Sequence, residues 1–288
     1  MHPSPMKTVL TIAGFDPSSG AGVTADLMVF AAHGLFGTSC ITALTVQSTW
    51  GVQSTHPVSE AIVEATLQCL DEDLRPAGIK IGIVSNENNI FRISNYLKIL
   101  KVERSDPARS SHIPIVLDPV LRSSSGRELL DLASLAAFRE QLLPLVDWVT
   151  PNVDELAALL GRPAIDRGAG MQEACRALQA SVARPGDDIS RLGIVATGGH
   201  LDPPNDFLLM PTGEGIWLVG ERVATKSTHG TGCAFSSAFL SRLVLGDEPE
   251  EAARGAKAYV AGAMRAAESI GKGAGPIKHL WNVNKALH

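Results

Sequence analysis

Positive charge is in short supply in this 288-residue chain: 25 lysines and arginines stand against 30 aspartates and glutamates, a formal net charge of −5. No basic tract occurs, which argues against nucleic acid or an anionic membrane surface as the main partner. Anionic ligands must therefore be handled locally. Long apolar runs are also missing, none reaching the roughly 18 residues that a membrane helix needs, and the opening MHPSPM lacks the apolar core of a signal peptide. Cysteine is scarce too. Cys40, Cys69, Cys175 and Cys233 show neither CxxC nor Cys/His ligand spacing, so a disulfide framework and a zinc site are excluded and free thiols in a reducing cytoplasm are expected. The phosphate-binding GxxxxGK[ST] motif, the GxGxxG fingerprint and protein-kinase signatures are absent. If ATP is used, its phosphates must be held some other way.

What is present is an ordinary globular composition, 45% hydrophobic and 19% charged, in which short β-type runs alternate with helical spacing. Strands are predicted at 7–13, 40–47, 78–83, 115–117, 147–150 and 192–197. Helices are predicted at 23–34, 59–70 (with Ser59 as cap), 88–100, 131–146, 152–161, 171–183, 234–245 and 248–269, and the last ten residues read as a terminal helix. Residues 101–114 read as a polar linker, and the segments from Asp206 and from Gly215 as a hairpin turning at 211–215. Strand alternating with helix at this pace means an α/β fold with a parallel sheet covered on both faces. No repeat or low-complexity linker divides the chain, so residues 1–288 are read as one domain.

In an open parallel sheet, ligands gather beyond the carboxyl ends of the strands. The polar residues there are Asp16, Gln47, Asp118, Asn152 with Glu155, Gly198-Gly199, and the turn in KSTHGTGCAFSS. Asp16-Pro17 and Asp118-Pro119 also fit plain turn punctuation. Asn152-x-x-Glu155 fits a capping box, which need not exclude a carboxylate beside a metal. Gln47 can donate and accept at once, which suits a ring nitrogen beside an exocyclic amine, though a capped strand end explains it about equally well. His33, His56 and His200 lack a partner at ligand spacing and read as structural or surface residues. In the GTGC turn, Gly230 and Gly232 allow close backbone approach, Thr231 offers a hydroxyl, and helix-start amides can hold an anion. Cys233 in the first helical turn is expected to have its thiol pKa lowered by the helix dipole, although a small buried hydrophobe beside a helix cap fits as well.

Taken together, TIAGFDPSSGAGVTADL, TALTVQSTWGVQ, KIGIVSN, VLDPV, TPNVDELAALLG, GGH and KSTHGTGCAFSSA resemble the hydroxymethylpyrimidine/phosphomethylpyrimidine kinases, the thiamin-pathway members of the ribokinase superfamily. The resemblance runs in order over essentially the whole chain. It implies a three-layer α/β/α sandwich with a mostly parallel central sheet, and two successive ATP- and Mg²⁺-dependent phosphorylations of 4-amino-5-hydroxymethyl-2-methylpyrimidine by a cytoplasmic homodimer. By position it implies that Gln47 pairs with the aminopyrimidine edge and that Asp26, Gly14 and Ile83 line the same pocket. Asp118 and Glu155 would serve Mg²⁺, with Asn152 beside them. Thr197, Gly198 and Lys226 would lie at the nucleotide, Gly230, Thr231 and Gly232 would form the anion hole, and Cys233 would stand where sugar-kinase relatives place an aspartate base. Three positions depart from the pattern. Thr197 and Ser124 stand where lysines are common, with Arg122 near the latter, and Ile83 replaces a frequent methionine. A pyridoxal kinase on the same scaffold is the nearest alternative, and a ligand-binding regulatory homologue without turnover is the rival from another class.

Overall fold

The computed structural model describes residues 6–104, 112–123, 126–130, 132–166, 169–182, 192–199 and 201–283. Nine strands form one sheet in the order β3-β2-β1-β4-β5-β6-β7-β8-β9. Strands β1 (Thr8–Phe15), β2 (Phe36–Ser48), β4 (Ile79–Ile81), β5 (Ile115–Leu117), β6 (Trp148–Val149) and β7 (Gly193–Ala196) pair in parallel. All but β2 are buried on both sides, which is why they read as continuous apolar runs rather than alternating ones. Antiparallel strands close both ends. β3 (Gly51–Pro57) folds back on β2, and β8 (Asp206–Leu209) with β9 (Gly215–Leu218) makes the expected hairpin.

Helices cover each face. On one side α1 (Gly22–Ala32), α7 (Thr231–Leu245) and α8 (Pro249–Arg265) bury Val29, Phe30, Phe239 and Tyr259 against Val9, Val116, Val195 and Leu208. On the other, α2 (Glu60–Asp73), α3 (Glu87–Arg104), α4 (Leu132–Ala137), α5 (Val153–Leu159) and α6 (Ala169–Val182) pack Leu67, Ile93, Ala137, Leu156 and Leu178 onto Leu10, Ile12, Ile79, Ile81 and Ile194. The alternating strands and helices thus form the expected α/β/α sandwich. No helix among the described residues is long and apolar enough to cross a membrane.

Some local expectations are corrected. The helix predicted at 131–146 is α4 followed by a π-helical turn at Phe138–Leu142 and a 3-10 turn at Leu143–Leu145, where Pro144 cannot continue the i→i−4 ladder. Part of the predicted 101–114 linker continues α3 to Arg104, and residues 105–111 lie outside the described set. In place of a terminal helix, His279–Val283 form tight turns, and 284–288 are again outside it. Ser59 does precede α2, but its side chain makes no capping bond.

Candidate active site

The parallel strands all end on one edge, and α7 brings its N-terminus to the same edge. There the His229-Gly230 turn locks against the Ser18–Ala21 loop. Gly230 has φ +85°, and a Cβ on it would lie 1.7 Å from the carbonyl oxygen of Gly20; a Cβ on Gly20 would in turn meet the His229 ring at 2.1 Å. Only glycine fits at either place. Thr231 and Gly232 then open α7, where first-turn amides have no intrahelical partner. Gly232 is exposed, and a Cβ there would meet nothing within 4 Å. The space above it is free for a ligand.

Beneath this turn lies a buried charged cluster. Lys80, in the middle of β4, is 0% exposed and lies 3.1 and 3.0 Å from the two carboxylate oxygens of Asp26, itself 0% exposed. Thr11 and Ser237 donate to the same carboxylate at 2.6 and 2.8 Å. Lys80 Nζ is also 3.8 Å from Asp118 Oδ2, which accepts from Ser236 at 3.2 Å. Burial on its own lowers the pKa of Lys80, but the neighbouring Asp26 and Asp118 carboxylates outweigh it and hold its pKa above that of an ordinary lysine. The cation is permanent at neutral pH.

Cys233 sits among these groups, half-buried, and its thiol interacts with Asp118 and with the Gly22 amide. The expected lowering by the helix dipole is overturned. Burial pushes the thiol up to about 12, the Asp118 and Asp26 charges add to the rise, and Lys80 offsets it only in part. In the free protein Cys233 is a neutral thiol near pH 7.

Asn152 and Glu155 do form a capping box: Asn152 Oδ1 accepts from the amides of Asp154 and Glu155 at 3.0 and 2.9 Å, and Glu155 Oε2 accepts from the Asn152 amide at 2.9 Å. Burial raises the Glu155 carboxyl to about 8, with repulsion from Asp118 adding to the shift, and burial raises Asp118 as well. Two hard oxygen donors whose charges repel one another suit a magnesium-like cation. Among the described residues no group of three or more His, Cys, Asp or Glu side chains surrounds a metal position, so water and ligand oxygens would have to complete any such shell.

Because the folded-state pKa of Glu155 lies above its ordinary 4.5, this residue's contribution to stability is full below about pH 4.5 and is lost as pH rises through about 8. Glu155→Gln, which keeps an acceptor for the Asn152 amide, is expected to match or exceed the wild-type melting temperature at pH 9 without metal. Added Mg²⁺ should raise the wild type and not the variant. Thermal melts at pH 5 and 9, with and without Mg²⁺, check this.

Farther along the edge, Gly14 and Ile83 are brought together, a Cβ on Gly14 being 3.3 Å from Ile83 Cδ1. Gln47 ends β2 half-exposed; one terminus of its amide lies 3.0 Å from His229 Nε2 and the other 3.3 Å from the Thr45 hydroxyl. His229 Nε2 is 2.8 Å from Asp16 Oδ2. Asp26 does not join them as expected. Both of its oxygens are filled by Lys80, Thr11 and Ser237, so it underlies the pocket instead of lining it.

On the β7 side, Thr197 is half-exposed and its amide donates to Pro151 O at 2.8 Å, joining it to the Asn152 loop. Gly198 cannot offer its amide to a phosphate. That amide donates to Asp206 Oδ1 at 2.8 Å, while Lys257 holds Asp206 Oδ2 at 2.7 Å. Lys226 is exposed on the segment after β9. Arg122 pairs with the exposed Glu128 at 3.3 Å, and Ser124 and His200 lie outside the described residues. His33 bonds Val29 O at the end of α1 and His56 bonds Ser54, consistent with structural and surface roles.

Two residues of this edge escaped the sequence reading. Lys80 was hidden inside an apolar strand, where a lysine between isoleucines was itself the signal, since a buried lysine demands a carboxylate partner. His229 stood inside the singled-out THGTGC stretch, but its partners Gln47 and Asp16 are 182 and 213 residues away. Spacing cannot reveal such a contact.

Residues 16–278 match the family model described as Phosphomethylpyrimidine kinase. The chain is 35% identical over 281 residues to a hydroxymethylpyrimidine/phosphomethylpyrimidine kinase of Haemophilus influenzae, covering 96% of this chain and 97% of the relative. Among solved structures, it is similar to the phosphomethylpyrimidine kinase of Clostridium difficile 630 (32% identity, TM-score 0.68, covering 88% of this chain and 97% of that one). It is also similar to the pyridoxal kinase of Staphylococcus aureus in complex with ADP (27% identity, TM-score 0.81, covering 96% and 94%).

Proposed function

Since the chain belongs to the phosphomethylpyrimidine kinase family, we propose that it phosphorylates 4-amino-5-hydroxymethyl-2-methylpyrimidine with ATP, and then phosphorylates the monophosphate to the diphosphate. The observation that carries the reading is the convergence on one edge of the open α7 turn, Cys233 touching Asp118, and Gln47. Phosphoryl transfer is mostly positioning and charge neutralisation, and these residues divide that work. Amides of Gly230 and Gly232 face the transferring phosphoryl group, and Thr231, whose amide reaches back to Thr228 O at 3.4 Å, offers its hydroxyl. Gln47 recognises the ring, with Gly14 and Ile83 against its face. Asp118 and Glu155 would hold Mg²⁺, which neutralises phosphate charge when bound, and Asn152 keeps Glu155 in place through the capping box. Cys233 receives the hydroxymethyl proton in the first step. The second acceptor is already an anion and needs little help of that kind.

The ADP complex of the similar pyridoxal kinase supports use of ATP. With the Gly198 amide committed to Asp206, the nucleotide's phosphates fall to the α7 turn, Thr197, Mg²⁺ and the exposed Lys226. The same similarity favours one second reading, a pyridoxal kinase. One nine-stranded sheet spanning the described residues supports a single domain. Strand β2, next to the edge strand β3, exposes Leu44 and Val46 at 49% and 48%, which supports a homodimer through that end of the sheet.

Incubating the protein with Mg-ATP and either substrate, with products separated by mass, tests the reading. Mono- and then diphosphate of the pyrimidine are expected; pyridoxal phosphate alone would establish the second reading instead. Gln47→Leu leaves the polar edge of the pyrimidine unpaired and is expected to cost about 1–3 kcal/mol of its binding, roughly 5- to 150-fold in affinity, with a smaller loss for pyridoxal. Equal losses would reduce Gln47 to a strand-end residue.

A further inference from the structure

The contact between Gln47 and His229 raises a question of proton count. Asp16 is buried, and its carboxylate accepts from the Ser18 amide at 2.8 Å, the Ser18 hydroxyl at 2.7 Å and the Ala21 amide at 2.9 Å. Burial on its own would raise its pKa, but the His229 and Ser18 hydrogen bonds outweigh that and bring it below the ordinary value. Asp16 is thus an ionised group that only accepts. His229 Nε2, 2.8 Å away, must carry a proton. Either the imidazolium or the Nε2–H tautomer satisfies this, whereas a bare Nε2 would set its lone pair against a carboxylate.

The same proton decides how Gln47 sits. With its NH2 toward His229, two donors would face each other across 3.0 Å. With the amide turned over, every group has a complementary partner. His229 Nε2–H is shared between Asp16 and the Gln47 carbonyl, the Gln47 NH2 donates to Thr45 Oγ1, and the Thr45 hydroxyl donates to Phe15 O at 2.9 Å. The imidazole itself has little freedom. Its ring lies against Gly20, and its backbone is tied on both sides, its amide to Gly275 O and its carbonyl to the Ile277 amide.

We propose that His229, oriented by Asp16, is a positioning residue that holds the Gln47 amide with its oxygen toward His229 and its nitrogen toward Thr45, and so fixes the order of acceptor and donor offered to the substrate ring. One lone pair and one N–H remain on Gln47, the acceptor on the His229 side. A ring presenting an amine beside a ring nitrogen is matched in one orientation only. A half-turned Gln47 would meet the amine with a donor and the ring nitrogen with an acceptor. The selectivity consequence rests on the pyrimidine kinase reading; the amide orientation does not.

Two measurements test the proposal separately. Imidazole ¹⁵N shifts of the free protein at pH 7, with His229 assigned by comparison with His229→Gln, are expected to show a protonated Nε2. A bare, pyridine-type Nε2 overturns the proposal whatever the substrate is. In steady-state kinetics, His229→Leu is expected to raise KM for the aminopyrimidine about tenfold or more while leaving KM for ATP within about twofold. His229→Gln, which restores an N–H donor at the Nε2 position, should recover most of the loss. In a Gln47→Leu background, His229→Leu should add nothing, because it acts through that amide. Additive losses, or equal changes in both KM values, overturn the positioning role. A wild type that phosphorylates only pyridoxal overturns the pyrimidine reading and with it the selectivity consequence, leaving the ¹⁵N result to decide the orientation.

Discussion

Replacing Cys233 by alanine is expected to slow the first phosphorylation by about 10²-fold or more at pH 8, the low end of the usual general-base contribution, and the second by far less. The low end follows from the structure. With burial pushing the thiol up to about 12, only a trace of thiolate exists at that pH. The wild-type rate of the first step should therefore climb close to tenfold per pH unit between about pH 7 and 9.5. The second step starts from a phosphate whose second pKa is about 6 and should be flat over the same range. In the alanine variant the climb should vanish from the first step. Single-turnover rates for each acceptor, measured across that range, check both parts. A plateau near pH 7 would mean that bound nucleotide or metal brings the thiol down into the neutral range. Equal slowing of both steps would make Cys233 a packing residue under the anion hole.

The layers of the fold were legible because the parallel strands and their covering helices carry the two simplest signals, continuous apolar runs and 3.6-residue spacing. What escaped was polar or broken. Strand β3, GVQSTHP, has one β-branched apolar residue and ends in proline, so nothing in its composition distinguishes a strand at the sheet's end from a loop; its place is set by pairing with β2. The helix predicted at 131–146 kept its apolar spacing across the point where Pro144 and a π-helical turn change the backbone. At the site, Asn152 and Glu155 were legible as a capping box because the motif is local. The commitment of the Gly198 amide was hidden for the opposite reason. That amide goes to Asp206 across a loop, and Asp206 is held in turn by Lys257 on α8. Cys233 was placed correctly at the start of a helix and given the wrong ionisation, since the sequence shows the dipole but not the burial of the thiol, nor the carboxylates of Asp118 and Asp26 that the fold gathers around it.

The largest effect on stability is expected at Lys80. Lys80→Met preserves length and apolar contact but removes the cation from a site in which Asp26 is 0% exposed. Stranding one member of a buried ion pair typically costs about 3–5 kcal/mol. For a chain of this size that corresponds to a fall in melting temperature of roughly 10 °C. Thr11 and Ser237 still donate to Asp26, yet hydroxyl dipoles do not neutralise a full charge. A proton can, so the loss should be smaller at pH 5 than at pH 8. Adding Asp26→Asn removes the stranded charge, keeps an oxygen acceptor for one of the two hydroxyls and turns an NH2 donor toward the other, which can accept, and the double variant should recover most of the lost stability. It should not recover the first phosphorylation. Lys80 is the group that offsets the rise of the Cys233 thiol and sits 3.8 Å from Asp118, so the double variant should retain less thiolate at any given pH. Thermal melts at pH 5 and 8 paired with first-step rates separate the two roles. Recovery of both together would confine Lys80 to holding the core. Failure of the double variant to regain stability would mean that the cation is needed by Asp118 more than by Asp26.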